Sequence, residues 1–172
     1  MLQILGAVMI ILGGIGMGYL YAEKEQEKIT FAEKWECMMH MFLSEITYKK
    51  QPLSLACKEI GGKIGDIEGE FLKKVSGRIQ ERNGENFYFV WQAEGVTYFE
   101  TKKLSKEERM LIQEFGVLTG FEDENMQKKM IKEQAEKWKK IKLQKQEEYQ
   151  ERKRLAMILS SCLGIMIVLI LW

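Results

Sequence analysis

The feature that most constrains this chain is its C-terminal stretch from Glu122 to Trp172, which contains no proline and a single glycine, Gly164. Its first part is densely charged, whereas from Leu155 onward the one ionisable side chain is Cys162. At about 1.5 Å of rise per residue, one helix over this stretch would be roughly 75 Å long, more than twice the hydrocarbon thickness of a bilayer. The pattern therefore predicts a polar helix that continues directly into a membrane span.

The N-terminal stretch, residues 2–21, is also apolar and has the length that crosses a bilayer. A cleaved signal peptide would carry positive charge before the apolar run and small residues at a cleavage site; neither is present, so an uncleaved span is expected. Basic residues flank both apolar ends on the side of the middle region, at Lys24, Lys28 and 152–154. By the positive-inside tendency, the middle region is expected in the cytoplasm and both chain ends outside.

We therefore expect three domains: a span over 1–21, a cytoplasmic helical bundle with its stalk over 22–154, and a span over 155–172. A GxxxG motif in the first span, at Gly14 and Gly18, fits close packing against another helix and ordinary glycine usage in membrane helices equally well.

Charge and cysteine content exclude several classes of protein. The net charge is +1, with acidic and basic side chains interleaved, so a basic nucleic-acid-binding face is not expected. The three cysteines match no disulfide or metal framework, and an odd number fits a reducing compartment.

In the middle region, apolar side chains recur at three- and four-residue steps, which predicts an all-α bundle of about six helices, the last of them continuous with the C-terminal span. The side chains expected to face the core are Phe31, Trp35, Met38 or Met39, Phe42, Ile46, Leu53, Ala56, Cys57, Ile60, Phe71, Leu72, Val75, Ile79, Phe87, Val90, Trp91, Tyr98, Met110, Leu111, Phe115, Leu118, Met126, Met130 or Ile131, Trp138 and Ile141. Beyond Leu143 the apolar stripe thins, so this part of the last helix is expected to project as a stalk.

Residues 87–101 are ambiguous, because their aromatic and β-branched side chains favour a strand locally. No second strand candidate exists to pair with them, so a helix is expected. Ser105 and Glu108 have the spacing of a capping box at the start of the next helix.

Neither of two candidate chemical sites is convincing. The segment 61–65, GGKIG, lacks the Ser or Thr that follows the lysine of a P-loop, and it is interpreted as a flexible loop between helices. Cys37 and His40 lie one helical turn apart, but no other histidine exists to complete a metal site; a buried structural cysteine beside a partly exposed histidine is expected instead. No enzyme activity, metal or cofactor is predicted.

Two segments carry more specific information. The first is an EIxYxxxPL pattern over 45–53, and the second is an FGxxxGxxDxxxQ pattern over 115–127. With MLQILGAV at the start and the apolar C-terminus, they resemble the stage III sporulation protein AB family over essentially the whole chain. In one departure from the family, Thr119 stands where leucine usually precedes the second glycine.

The resemblance implies a component of the channel between mother cell and forespore, on the mother-cell side of the membrane. It also implies a soluble domain similar to the cytoplasmic domain of the type II secretion inner-membrane platform protein. The partners implied are the cytoplasmic secretion-type ATPase, stage III sporulation protein AA, and other membrane components of the channel; an oligomer is compatible with this role.

The motif residues have two alternative interpretations: they fix the ends of helices, or they present side chains to a partner protein. The candidates for either role are Glu45, Tyr48, Pro52, Leu53, Phe115, Gly116, Gly120, Asp123 and Gln127. Two rival functions remain open. One is a two-span adaptor of another secretion or pilus-like system, and the other is a membrane-anchored enzyme, which a cavity lined by carboxylates of shifted pKa would favour.

Overall fold

The computed structural model describes residues 23, 25–81, 86–118 and 124–171, and this part of the chain is helical throughout, without strands. The all-α prediction is therefore confirmed for the described residues. The helices are α1 (25–44, continued by a π-helical turn, Glu45–Lys49), α2 (Leu53–Ile64), α3 (Asp66–Gln80), α4 (Phe87–Thr101), α5 (Lys106–Leu118) and α6 (Glu124–Leu171).

The chain divides into two compact units. The central unit is Lys34–Trp138, and the terminal unit comprises the described residues of Met1–Glu33 and Lys139–Trp172. In the central unit, consecutive helices pack on one another: α2 on α3, α3 on α4, and α4 on α5. Short connections impose this order, because a single residue, Gly65, separates α2 from α3, and its φ of 66° suits glycine.

Aromatic rings form the centre of the core in the central unit. Trp35 of α1 stacks on Trp138 of α6 with 5.4 Å between ring centroids. Phe115 of α5 lies 5.0 Å from Phe42 and 4.9 Å from Trp91 in the same measure. Such rings bury large apolar areas, so the helices that carry them are held together mainly at these positions.

Most of the predicted core is confirmed, with a few exceptions. Met110 and Met126 are exposed, whereas Ile112 and Gln134, which were not predicted to face the core, are fully buried. Gln134 Nε2 donates to Glu114 Oε2 at 2.8 Å, which offsets part of the cost of burial, whereas the buried Oε1 has no hydrogen-bond partner among the described residues. Leu53, Ile79, Phe87 and Met130 are half-buried.

The cysteine and glycine interpretations need correction. Cys37 is exposed, and Cys57 is the buried cysteine of the described chain. Gly61 and Gly62 do not form a loop, because both lie inside α2. Gly61 faces Gly69 of α3 at a close crossing of the two helices, which a larger side chain would block.

Residues 87–101 are a helix, as predicted. Asn86 caps its start by accepting a hydrogen bond from the Tyr88 N–H at 3.2 Å. The capping box is also confirmed: the Ser105 N–H donates to Glu108 Oε2 at 2.8 Å, and the Glu108 N–H donates to Ser105 Oγ at 3.2 Å. The aromatic side chains of residues 87–101 therefore belong to a helix and not to a strand.

In the terminal unit, the part of α6 beyond Leu143, which was predicted to be a stalk, contacts the start of α1. Arg152 Nη1 lies 3.8 Å from Glu25 Oε1, and this oxygen also accepts a hydrogen bond from Lys28 Nζ at 2.7 Å. A groove of about 570 Å³ is lined by the start of α1, with Gln26 and Ile29, and by α6 from Leu143 to Glu151.

Within the described part of the chain, no helix has both the length and the apolar character that crossing a bilayer requires. The predicted first span, residues 1–21, lies outside the described residues. The helical backbone of the predicted second span is described to Leu171, whereas most of its side chains are not.

Candidate functional site

The first motif forms a π-helical turn at the end of α1, built around a buried carboxylate. Glu45 is 4% exposed, and Lys49 Nζ lies 2.8 Å and 3.0 Å from its two oxygens. Lys63 Nζ of α2 lies 3.2 Å from Oε1. The hydrogen bond from Lys49, assisted by Lys63, lowers the pKa of Glu45 despite burial. Glu45 therefore fixes the turn and is not available to a partner.

Tyr48 projects from this turn into solvent, with 83% of its surface exposed. A π-helical turn inserts an extra residue, which redirects the side chains that follow, and such turns are frequent at functional sites. Lys50 then ends the helix in the left-handed conformation at φ 50°. Pro52 starts α2, its carbonyl oxygen accepting from the Leu55 and Ala56 N–H groups at 3.0 and 3.1 Å. Tyr48 is thus presented on a turn that is fixed at both ends.

The first residues of the second motif lie in the core. Phe115 is 1% exposed and packs on Phe42 and Trp91. A Cβ on Gly116 would overlap Cδ1 of Trp91 and lie 2.8 Å from its Cγ. Phe115 and Gly116 therefore position α5 against α4 and do not offer a contact surface.

The rest of the second motif is partly described. Gly120 and Asp123 lie outside the described residues, and Gln127 is half-buried on the first turn of α6. Leu53 of the first motif is half-buried as well.

The polar end of the first motif lies near the start of α6. The pKa of Glu124 is lowered mainly by its hydrogen bond to Lys128, whose Nζ is 2.6 Å away, and to a smaller extent by the charge of Lys50. Lys50, two residues after Tyr48, is therefore near enough to the first turn of α6 for its charge to act on Glu124. We call Tyr48, Lys50 and Glu124 the Tyr48 surface.

A second buried carboxylate was not anticipated from the sequence. Glu68 of α3 is fully buried, and its Oε1 accepts from Lys102 Nζ at 2.8 Å and Tyr98 Oη at 3.1 Å. Lys34 Nζ of α1 lies 3.1 Å from Oε2 and 2.7 Å from Asp66 Oδ2. This Glu68 cluster connects α1, α3, α4 and the segment after α4.

The charge state of the Glu68 cluster follows from its partners. Burial acts to raise the pKa of Glu68, but the hydrogen bonds from Lys102 and Lys34 outweigh it and the net pKa is lowered. Burial and the Glu68 charge raise the pKa of Tyr98. The spacing of the sequence did indicate that Glu68 lies on the buried side of α3, because it stands three and four residues before the core positions Phe71 and Leu72. Its partners Lys34 and Lys102 are too distant in sequence to be identified in this way.

A cavity of about 360 Å³ lies beside this cluster, lined by Lys34, Asp66, Ile67, Glu68, Glu70 and Lys102. General acid–base catalysis at neutral pH needs a pKa near 7, whereas the pKa values of Glu68 and Asp66 are lowered by their lysine partners. The cavity is thus lined by carboxylates of shifted pKa, the feature expected of the enzyme alternative, but the pKa values of Asp66 and Glu68 shift away from neutral pH, so these two groups do not suit general acid–base catalysis there. Among the described residues, no group of three or more His, Cys, Asp or Glu is arranged for a metal ion.

Comparisons with known proteins agree with the motif resemblance. The sequence model of the family described as Stage III sporulation protein AB matches residues 3–172. Stage III sporulation protein AB of Bacillus subtilis (strain 168) is 24% identical over 132 residues, which make up 77% of each chain. A solved structure of a Stage III sporulation protein AB superposes with a TM-score of 0.65 at 18% identity, covering 72% of this chain and 96% of the solved one. The structural likeness shows the fold alone.

Proposed function

The chain belongs to the stage III sporulation protein AB family, and we propose that it is a membrane platform of the sporulation channel between mother cell and forespore. Its predicted spans, 1–21 and 155–172, anchor the cytoplasmic region 22–154 on the mother-cell side. The platform joins a cytoplasmic secretion-type ATPase, stage III sporulation protein AA, to the membrane components of the channel.

The observation that carries this proposal is the exposed Tyr48 on its fixed turn. A large aromatic side chain in solvent has no stabilising role within the chain, and tyrosine is among the side chains that dominate protein–protein contacts. The ion pairs of Glu45 with Lys49 and Lys63 hold the turn in one conformation. A partner that binds there does not have to order it first, which favours affinity.

The second element is α6, one uninterrupted helix from Glu124 to Leu171. Its first turn belongs to the Tyr48 surface, and its last residues are those predicted to enter the membrane. A continuous helix carries a displacement along its axis, whereas a flexible linker does not. ATPase binding at Tyr48 is therefore coupled to the membrane through α6.

Binding is tested with the full-length protein in detergent and the purified ATPase. Tyr48→Ala should raise the dissociation constant about tenfold or more, while the unfolding temperature stays unchanged because Tyr48 is outside the core. Tyr149→Ala, in the terminal unit, is the matched aromatic control and should bind normally. Equal affinity of the Tyr48 variant and the parent protein, or no association of the parent at all, would contradict the proposal.

Coupling is tested by a short Gly-Ser insertion after Gln146, which interrupts α6. We expect the variant to insert into membranes and bind the ATPase normally but to fail in supporting sporulation. Normal sporulation of that strain would rule out transmission through α6. A deletion strain that sporulates normally but loses another secretion or pilus-like activity would favour the adaptor alternative.

A further inference from the structure

Four large apolar side chains on α4 and α5 are more than half exposed. They are Phe89 (65%) and Val96 (57%) on α4, with Met110 (67%) and Val117 (52%) on α5. Single exposed apolar residues are ordinary, but a group of them on two packed helices indicates an interaction surface. None of these four residues belongs to the Tyr48 surface, and the inference drawn from this α4–α5 face does not rest on ATPase binding at Tyr48.

The packing of the two helices fixes how these side chains are arranged. The Trp91 Nε1–H donates to the Ile112 carbonyl oxygen at 2.6 Å, and Gln92 Nε2 donates to the Gln113 carbonyl oxygen at 3.3 Å. At the other end of the pair, the Arg109 guanidinium carbon lies 5.8 Å from the centroid of the Phe99 ring. The helices therefore run antiparallel.

This register defines three levels on the face. It sets Phe89 level with Val117, and Val96 level with Met110. Gln92 and Gln113 lie between these two apolar pairs. The face is thus apolar at both ends of the exposed group and uncharged but polar in the middle.

That pattern is self-complementary, and we propose that the α4–α5 face binds the same face of a second copy of this chain. Two orientations of the two-fold axis in the plane of the face are possible. If the axis is perpendicular to the helices, α4 packs on α4 of the second copy and α5 on α5. Phe89 then contacts Val96 of the second copy, and Met110 contacts its Val117. If the axis is parallel to the helices, α4 of each copy packs on α5 of the other. Phe89 then contacts Val117 of the second copy, and Val96 contacts its Met110. In either case apolar side chains meet apolar ones and glutamines meet glutamines, as an isologous contact requires.

The charges near the face are compatible with contact between two copies. Between residues 87 and 99, the one charged side chain of α4 is Glu94, which is turned toward α3 and bonded to Arg78 at 3.0 Å. On α5, Glu108 is buried, and Glu114 is bonded to Gln134 and Lys137 of α6. The other charges of the described parts of α4 and α5 are of both signs and lie at one end of the face: Glu100, Lys106, Glu107 and Arg109. No like charges are therefore brought together at its centre, where desolvation would cost most.

The size of the face sets the strength of the contact. Two helices of this length side by side present about 20 Å by about 20 Å, which is on the order of 400 Å² per partner and half of what a specific interface of standard size buries. The dimer is accordingly weak for a free protein. It is favoured when two copies are held in one membrane, where their effective concentration is high.

The first test is disulfide crosslinking of the full chain in membranes. The exposed cysteines are first removed by Cys37→Ser and Cys162→Ser, and Gln92→Cys is added alone or mixed with a Gln113→Cys chain. An axis across the helices gives a Gln92→Cys homodimer, and an axis along them gives a crosslink only in the mixture. Absence of both crosslinks under oxidation would overturn the proposal.

The second test measures the dimer dissociation constant of the full chain in detergent by sedimentation. Met110→Lys should raise that constant about tenfold or more by burying a charge in the contact. Met126→Lys is the matched control, an exposed methionine outside the face, and should leave it unchanged. A monomer at all concentrations in detergent together with no crosslink in membranes, or equal effects of both variants on the dissociation constant, would refute the second copy as occupant. The same is true if Met110→Lys disturbs only binding of another channel protein.

Discussion

Gly61 of α2 and Gly69 of α3 approach so closely that neither has room for a side chain. A Cβ on Gly61 would lie 2.7 Å from the Gly69 carbonyl oxygen, and a Cβ on Gly69 would lie 2.6 Å from the Gly61 carbonyl oxygen. The obstacles are backbone atoms, which cannot turn aside as a flexible side chain can. The two glycines therefore fix the distance between α2 and α3.

Gly61→Ala should lower the free energy of unfolding by about 1–3 kcal/mol, because the helices must separate to admit the methyl group. Gly62 is the matched control, since it lies in the same helix with nothing within 4 Å of its Cβ position. Gly62→Ala should raise stability by roughly 0.5–1 kcal/mol through helix propensity. Urea denaturation of the full chain in detergent, followed by tryptophan fluorescence, measures both, and a stabilising Gly61→Ala would disprove the close crossing.

Gly116→Ala tests the packing of α5 on α4 at the second motif. The added Cβ overlaps the Trp91 indole ring, which is buried and bonded to the Ile112 carbonyl oxygen. We expect a loss of about 1–3 kcal/mol and a changed tryptophan emission. Gly77→Ala in α3, where no atom lies within 4 Å, should not be destabilising. If both variants unfold at the same urea concentration, Gly116 has no packing role.

Ser105→Ala removes one half of the capping box of α5. The Glu108 N–H loses its side-chain acceptor, and the free energy of unfolding should fall by about 1 kcal/mol. Ser105→Asp restores an acceptor at the same position and should recover most of the loss. Thermal unfolding by circular dichroism distinguishes the two; an alanine variant as stable as the parent would show that water replaces the cap without cost.

Glu68→Gln removes the buried charge that pairs with Lys34 and Lys102. Breaking a buried ion pair costs about 3 kcal/mol or more, but both lysines retain partial exposure and can turn to solvent. We therefore expect a loss of about 2–3 kcal/mol at pH 7. Asp66→Asn, at an exposed carboxylate of the same cluster, should have little effect in the same denaturation assay.

The pH dependence of the Glu68 variant has a definite sign. The pKa of Glu68 is lowered in the folded state, so its contribution is fully present above the unfolded pKa of about 4.3. It is lost as the pH falls through the lower folded value. The stability difference between parent and Glu68→Gln should therefore be constant from pH 7 to about pH 5 and shrink in stronger acid. A difference that grows in acid would contradict this assignment.

The sequence predicted the helices well because its signals are local. The stripe Phe31, Trp35 and Phe42 has the helical period, and Ser105 with Glu108 forms a cap within one turn. The α4 segment was assigned correctly from the absence of a strand partner, although its side chains favour a strand. The motif resemblance identified the family from residues 45–53 and 115–127, which lie at or next to helix ends.

The sequence was less informative about which motif residues can meet a partner. All were equal candidates, but Glu45 and Phe115 are buried, Gly116 has no space around it, and Tyr48 is exposed. A motif shows that certain residue types occur together, but it does not distinguish residues that pack inside the protein from residues that contact a partner protein.

The C-terminal stretch illustrates the same division. Its composition alone determined one uninterrupted helix, because helix propensity and the absence of proline act within each turn. Tertiary structure decided that Gln134 and not Met126 is buried, that Gly61 is a contact point and not a loop, and that Glu68 is held by Lys34 and Lys102. Those outcomes depend on which distant residues come within a few ångströms, and no local property of the sequence encodes such a distance.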